Sequence, residues 1–397
     1  MEGAPPPAEK IIRFSDGSYF RFPQMRWTVC HFQQLMPTMR VSRGLSAPTP
    51  LQKRESVQLD PISFTPLNSD APVTWKQSLL ENFTDGIIVL HRNRIVYERY
   101  FGCLSSSERH AAMSVTKSFI GLLGEMLVEE GLLAEDQLVK SYLPELAESA
   151  FGDATVRQVL DMTTALAYSE DYSDPNAEVW LHAAAGNPLP KPADYQGPRN
   201  YYESLQRIQK QGQHGEAFAY KTVNTDALGW LITRVTGKAV SDVLSERIWS
   251  KLGMEQDAFF TVDSIGTPFA GGGLNAGLRD MARFGQMILD GGRAGTLQVV
   301  PSKVIARIRE GGSPEAFAKG YKGLKGWTYR SMWWMSHNGH GAFMARGVHG
   351  QSIYIDPKAE MVIVRFASHP TASNAANDPT TLPAYHAVAK YLMSLRP

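Results

Sequence analysis

Ser114-Val115-Thr116-Lys117 places a hydroxyl and an amine three residues apart at the head of the most apolar helix-like stretch of the chain. On a helix that spacing puts both side chains on one face, within reach of each other. A serine hydroxyl is a weak nucleophile until a base takes its proton, and a lysine held out of water can be that base. The next residues, Phe119-Ile120-Gly121-Leu122-Leu123-Gly124, read as a buried helix that would fix the pair and lower the hold of Lys117 on its proton. The chemistry would be covalent hydrolysis through serine. Chance supplies about one Ser-x-x-Lys in a chain of this size. An ordinary helix start, with Ser114 as cap and Lys117 solvated, would read the same.

Other chemistries find less support. No G-x-S-x-G elbow occurs. His337-Asn338-Gly339-His340 has two imidazoles in a Gly-rich stretch without a third ligand at metalloprotease spacing, so no metal is implied. Gly271-Gly272-Gly273 follows no strand-to-helix phosphate signature and reads as a turn or a close backbone approach. With 397 residues, 43% hydrophobic and 20% charged, the chain has a globular balance. A formal net charge of +1 implies neither nucleic acid nor an acidic membrane as partner. Cys30 and Cys103 form no CxxC pair, which argues against a disulfide framework or a zinc site. The first residues, Met1-Glu2-Gly3-Ala4-Pro5-Pro6-Pro7, lack the charged-then-apolar pattern of an export signal, and no apolar run is long enough to span a bilayer. A soluble, cytoplasmic protein is expected.

These candidate groups need elements to hold them. Residues 1 to about 25 read as a loose Pro-containing arm. Gly86-Ile87-Ile88-Val89-Leu90 and Ile95-Val96-Tyr97-Glu98-Arg99-Tyr100 read as a hairpin. The Ser114 helix follows and ends near Gly131. Thr155 to Met162 and Asp226 to Val235 read as helices, the second ending at Gly237, with a long Asp-, Pro-, Gly- and Ala-rich loop over 165–200 between them. Strands return at Gly350–Asp356 and Met361–Phe366, and a last helix runs from about Pro383 to Leu395. Strands at both ends and helices between them predict an α+β fold, one antiparallel sheet built from both chain ends with an inserted helical lobe. The expected division is an arm over 1–25 and a domain over 26–397, with an α/β lobe about 26–130 and 270–397 and a helical lobe about 131–269.

Ser114-Val115-Thr116-Lys117, Thr155-Val156-Arg157-Gln158-Val159-Leu160, Phe218-Ala219-Tyr220 and Gly272-Gly273-Leu274 with Arg279-Asp280 occur in the order found in the serine β-lactamase and penicillin-recognising enzymes. The chain resembles that family and, within it, the nylon-oligomer branch of 6-aminohexanoate-dimer hydrolases. Segments such as Val41-Ser42-Arg43, Glu170-Asp171-Tyr172, Asn224-Thr225-Asp226 and His349-Gly350-Gln351 carry the closer likeness from about residue 25 onward. The resemblance implies a β-lactamase-like fold, no cofactor, and Tyr220 as a third catalytic group that shares a proton with Lys117 and delivers one to the leaving group. It implies an oxyanion hole from the backbone N–H groups of Ser114 and Val348, on the stretch Ala345-Arg346-Gly347-Val348, where the family's Lys-Thr-Gly has lost its lysine. It makes Tyr172 a loop tyrosine that closes over substrate, and Trp333 and Trp334 walls for a linear aliphatic chain, with core packing as the alternative. His349 is expected to be structural.

The pattern also departs from the family. Thr222 stands where lactamases carry the Asn of Tyr-x-Asn, a hydroxyl residue there being shared with the nylon-oligomer branch. An aspartate that grips the substrate's amino end in amidase forms falls at about Ala183, and a second tuning position at about Gly271; neither has a polar side chain here. The expected protein is therefore a serine hydrolase of small linear esters or ω-amino amides, with Tyr172, Ala183, Thr222, Gly271, Trp334 and Gly347 around the substrate. Its partner is a small molecule, and a homodimer is left open. A D-amino-acid peptidase or β-lactamase is the alternative enzyme, and a non-catalytic binding protein on the same fold is the alternative of another class.

Overall fold

The apolar run at Gly86–Leu90 lies at the heart of a twisted sheet that buries both of its faces. The computed structural model describes residues 3–54 and 58–395. The sheet has eight strands in the order Thr328–Arg330, Trp333–Met335, Phe343–Gly347, Gln351–Asp356, Met361–Ala367, Thr84–His91, Arg94–Tyr100 and Gln52–Lys53. All neighbours are antiparallel except the last pair. Every residue of Thr84–His91 is buried, which explains why it reads as a continuous apolar run rather than an alternating one. Arg92 and Asn93 turn the hairpin at φ 50° and 58°, the left-handed geometry that matches strand twist.

Helices cover the two faces by strand alternation. Ile353 and Val362 point at Gly285 of the Leu278–Leu289 helix, where an added Cβ would lie 2.6 Å from Val362. Ser352 and Tyr354 point the other way, onto Tyr385 of the Asp378–Ser394 helix. That helix begins earlier than the expected Pro383. The Pro379 carbonyl, which Pro383 cannot engage, accepts instead from the Leu67 N–H at 2.9 Å, so the proline is tolerated inside the helix.

A second sheet went unread in the sequence. Its order is Thr38–Val41, Ala258–Thr261, Leu274–Ala276 and His110–Ala111. His110 pairs with Ala276 and Ala111 with Asn275. This short ladder carries the chain into Met113, held at φ 46°, and so into Ser114 beside the Gly271–Gly273 turn. The helix that follows spans Val115–Glu129 and is buried from Val115 to Leu127. Gly121 lets it approach the hairpin at Ser331, whose carbonyl would lie 2.1 Å from a Cβ there.

Two expectations need correction. Cys30 and Cys103 are bonded, a pairing 73 residues apart that local spacing does not reveal. From Phe14 onward the expected arm is packed rather than loose. Tyr19 and Phe20 pack against a buried cluster of Met25, Val29, Phe32, Ala111, Met113 and Phe259, just before the disulfide anchors the chain at Cys30. Closing so long a loop in the unfolded chain is worth about 4 kcal/mol. Cys30→Ser with Cys103→Ser should therefore lower the free energy of unfolding by up to about that amount, read by urea denaturation. An unchanged midpoint and slope would contradict it. Among the described residues no helix is long and apolar enough to cross a membrane, and no group of three or more His, Cys, Asp or Glu side chains is arranged to hold a metal.

Candidate active site

Ser114 caps the Val115–Glu129 helix, where the first-turn amides and the helix dipole favour negative charge. Lys117 Nζ lies 2.8 Å from Ser114 Oγ and 2.5 Å from the Gly271 carbonyl. Lys117 is only 1% exposed. Burial pushes its pKa from 10.5 down to about 8, against the pull of the Glu170 and Asp226 carboxylates. At neutral pH about one molecule in ten then carries the free amine at Lys117, with its lone pair available to a hydroxyl 2.8 Å away.

Tyr220 stands on the approach to the Val223–Thr236 helix, with its ring 5.1 Å from Lys117 Nζ. Burial and then the Glu170 charge push its phenol well up, while a contact with the Ser114 side chain and the Arg346 guanidinium draw it back. A phenol in that state keeps its proton at neutral pH and can donate it. The two groups thus differ in the way an acid and a base require.

Gly347 and Val348 pass directly beside Ser114. A Cβ on Gly347 would sit 2.9 Å from Ser114 N and 2.9 Å from the Ala112 carbonyl, so only glycine leaves the Ser114 N–H open on that side. Val348 lines the same cavity as Ser114. That cavity, of about 190 Å³, also takes in Tyr172, Ala183, Thr222 and Gly271. A larger cleft of about 760 Å³ adjoins it, against Tyr220, Trp334 and Arg346. Tyr172, Trp180, Phe20 and Val348 border both.

The structure refines several expected positions. Trp334 borders the larger cleft and packs on Tyr220 at 5.6 Å, whereas Trp333, one residue earlier on the strand, turns into the core against Phe284. Gly271 has no room for a side chain, since a Cβ would meet Thr222 at 2.3 Å. Its backbone instead links two groups, its carbonyl accepting from Lys117 and its N–H donating to Asp226 at 3.0 Å. His349 bonds the His369 carbonyl through Nδ1 at 2.7 Å, as a structural histidine does.

Sequence reasoning missed Glu170, Asp226 and His182. Glu170 accepts from the Tyr172 hydroxyl at 2.7 Å and from the Thr222 hydroxyl at 2.6 Å, so it fixes the loop over the site. Asp226 is pinned by His182 Nε2 at 2.8 Å, and His182 Nδ1 meets the Ser204 hydroxyl at 2.9 Å. Both carboxylates lie in segments that carry the family likeness, Glu170-Asp171-Tyr172 and Asn224-Thr225-Asp226. Their acidic members were the available signal, since carboxylates near a buried lysine limit the fall of its pKa.

A pH prediction follows from these charges. If free Lys117 is the reactive form, kcat/KM for a p-nitrophenyl ester rises with pH through about 8. The Glu170 charge favours protonated Lys117, so Glu170→Gln moves the midpoint downward. Profiles taken from about pH 6 to 10 decide, and a midpoint that stays or rises contradicts the assignment. The same depressed pKa makes buried Lys117 destabilising below about pH 8, a penalty relieved as pH climbs toward 10.5.

The β-lactamase family profile matches residues 78–385. The chain belongs to the β-lactamase family. It is 37% identical over 356 residues to the 6-aminohexanoate-dimer hydrolase of Paenarthrobacter ureafaciens, covering 89% of this chain and 88% of that one. A solved structure of a candidate 6-aminohexanoate-dimer hydrolase from Bacillus anthracis superposes with a TM-score of 0.87 at 32% identity, covering 96% of this chain and 97% of that one. EstCE1, a hydrolase with promiscuous acyltransferase activity, shares the fold at a TM-score of 0.61 and 17% identity, over 79% of this chain and 96% of its own. The α+β, β-lactamase-like architecture expected from the sequence is the one observed.

Proposed function

We propose that the protein is a serine hydrolase of small linear esters and amides, working through an acyl-enzyme on Ser114. The observation that carries the reading is the 2.8 Å contact between Ser114 Oγ and a Lys117 amine whose pKa burial has lowered to about 8. Free Lys117 takes the hydroxyl proton as Ser114 Oγ attacks the carbonyl carbon. The developing oxyanion is held by the N–H groups of Ser114 and Val348. Tyr220 gives its proton to the leaving oxygen or nitrogen and regains one from Lys117. Water then attacks the ester on Ser114 while Lys117 takes its proton, and Lys117 returns that proton to Ser114 Oγ as the acid departs. The 37% identity to a 6-aminohexanoate-dimer hydrolase supports the substrate class. The Cys30–Cys103 bond favours an oxidising compartment over the cytoplasm expected from the sequence, because such bonds persist there.

A parallel assay tests the reading. Short-chain p-nitrophenyl esters, the linear 6-aminohexanoate dimer and the chromogenic lactam nitrocefin are each incubated with the protein. Hydrolysis of esters, with nitrocefin left intact, is expected. Nitrocefin turnover without ester hydrolysis would favour a lactamase instead.

A further inference from the structure

The cavity beside Ser114 has an uncharged wall, and part of that wall comes from the N-terminal arm. Phe14, Tyr19 and Phe20 line it together with Ser114. None of its lining residues is Asp, Glu, Lys or Arg. Its histidine, His182, has both ring nitrogens engaged, by Asp226 and Ser204. The arm is held in place from several sides. Tyr19 packs on Phe14 at 4.8 Å and edge-on to Phe32 at 6.2 Å, and Phe20 meets the His349 ring edge-on at 5.5 Å. Both Tyr19 and Phe20 rest on the cluster that contains Met113, next to the nucleophile candidate.

We propose that Phe14, Tyr19 and Phe20 are specificity-determining residues, closing a subsite that takes the acyl part of the substrate as a neutral, apolar chain. The inference rests on the acyl-enzyme reading above. In that reading the leaving group must face Tyr220, which borders the larger cleft, so the acyl chain is left with the cavity beside Ser114 that Tyr220 does not line. A water molecule needs about 10–15 Å³ of such space, so about 190 Å³ has room for a short acyl chain. A chain of that size gains about fourfold in kcat/KM for each buried methylene. An ammonium at its end finds no counter-ion among the lining residues and loses its hydration.

The test compares p-nitrophenyl acetate, butyrate, hexanoate and 6-aminohexanoate, which share one leaving group. The full-length protein should prefer butyrate to acetate by about tenfold and hexanoate to 6-aminohexanoate by about a hundredfold. Phe20→Ala with Phe14→Ala should cut the butyrate-to-acetate ratio several-fold and shift the optimum to longer chains, and Phe20→Leu should restore most of the ratio. Equal turnover of hexanoate and 6-aminohexanoate overturns the proposal, and so does an unchanged chain-length profile in a folded double variant. The comparison of esters on the parent stands even if that variant does not fold. Loss of this selectivity with hydrolysis still dependent on Ser114 defeats the inference alone. Absence of any hydrolysis dependent on Ser114 defeats the underlying reading as well.

Discussion

Ser114→Ala should lower turnover of p-nitrophenyl butyrate by about 10⁴-fold or more, the scale seen when a covalent nucleophile is removed. The change deletes one oxygen and little else. Ala can take the same backbone angles, φ −68° and ψ −5°, at the helix start, and Lys117 keeps its bond to the Gly271 carbonyl. The fold should therefore survive, and circular dichroism and thermal melting should show it. Lys117→Met tests the same unit from the other side. It removes the proposed base while filling the buried volume, and its loss should be of similar size. Because the two residues act together, the double variant should be no worse than either single one. Additive losses would mean that Ser114 and Lys117 work independently, contrary to the 2.8 Å contact between them.

Gly347→Ala is the second large effect. A methyl group there would lie 2.9 Å from Ser114 N and from the Ala112 carbonyl, and 3.1 Å from Gln351 Cβ. Two of these neighbours are backbone and cannot swing aside. Either the methyl covers the Ser114 N–H or the strand moves and carries the Val348 N–H with it. Both outcomes cost an oxyanion donor, worth about 10²–10³-fold in kcat. KM should change little, because the lost bond is made to the developing charge rather than to the ground-state carbonyl. Gly339→Ala is the control, since a Cβ there meets nothing within 4 Å. A Gly347→Ala variant with normal kcat would remove the Ser114 N–H from the oxyanion hole.

The parts of the fold that the sequence made legible are those with a long local signal. The Thr84–Tyr100 hairpin, the buried helix after Ser114 and the paired strands over 351–367 each carry enough consecutive residues to show a period. The four-stranded sheet does not. His110–Ala111 has two residues and Leu274–Ala276 three, too few for any periodicity, although this ladder delivers Ser114 to Gly271. The Cys30–Cys103 bond was hidden for another reason. Its geometry depends on where the arm folds back, which spacing along the chain does not encode.

The candidate site divides along the same line. Ser114 and Lys117 could be paired because helical spacing places them together. Tyr220 and Val348 came through resemblance, since contacts between distant segments leave no local pattern. At Gly271 the sequence shows only the side chain it lacks, whereas its backbone links Lys117 to Asp226. Trp333 and Trp334 illustrate what alternation decides: adjacent strand residues face opposite sides, so one belongs to the cleft and the other to the core. Phe14, Tyr19 and Phe20 escaped notice because a Pro-containing segment without periodicity reads as loose, yet here it is held by aromatic packing and lines the cavity.

The central claim is that an acyl group is carried on Ser114. The direct measurement is to mix the protein with p-nitrophenyl butyrate, quench in acid within the first turnover, and determine the intact mass followed by the modified peptide. One butyryl group per chain, located on the peptide at Ser114 and absent in Ser114→Ala, is the predicted result. Hydrolysis with no acylated protein at any quench time, or a butyryl group on another residue that survives Ser114→Ala, would contradict it.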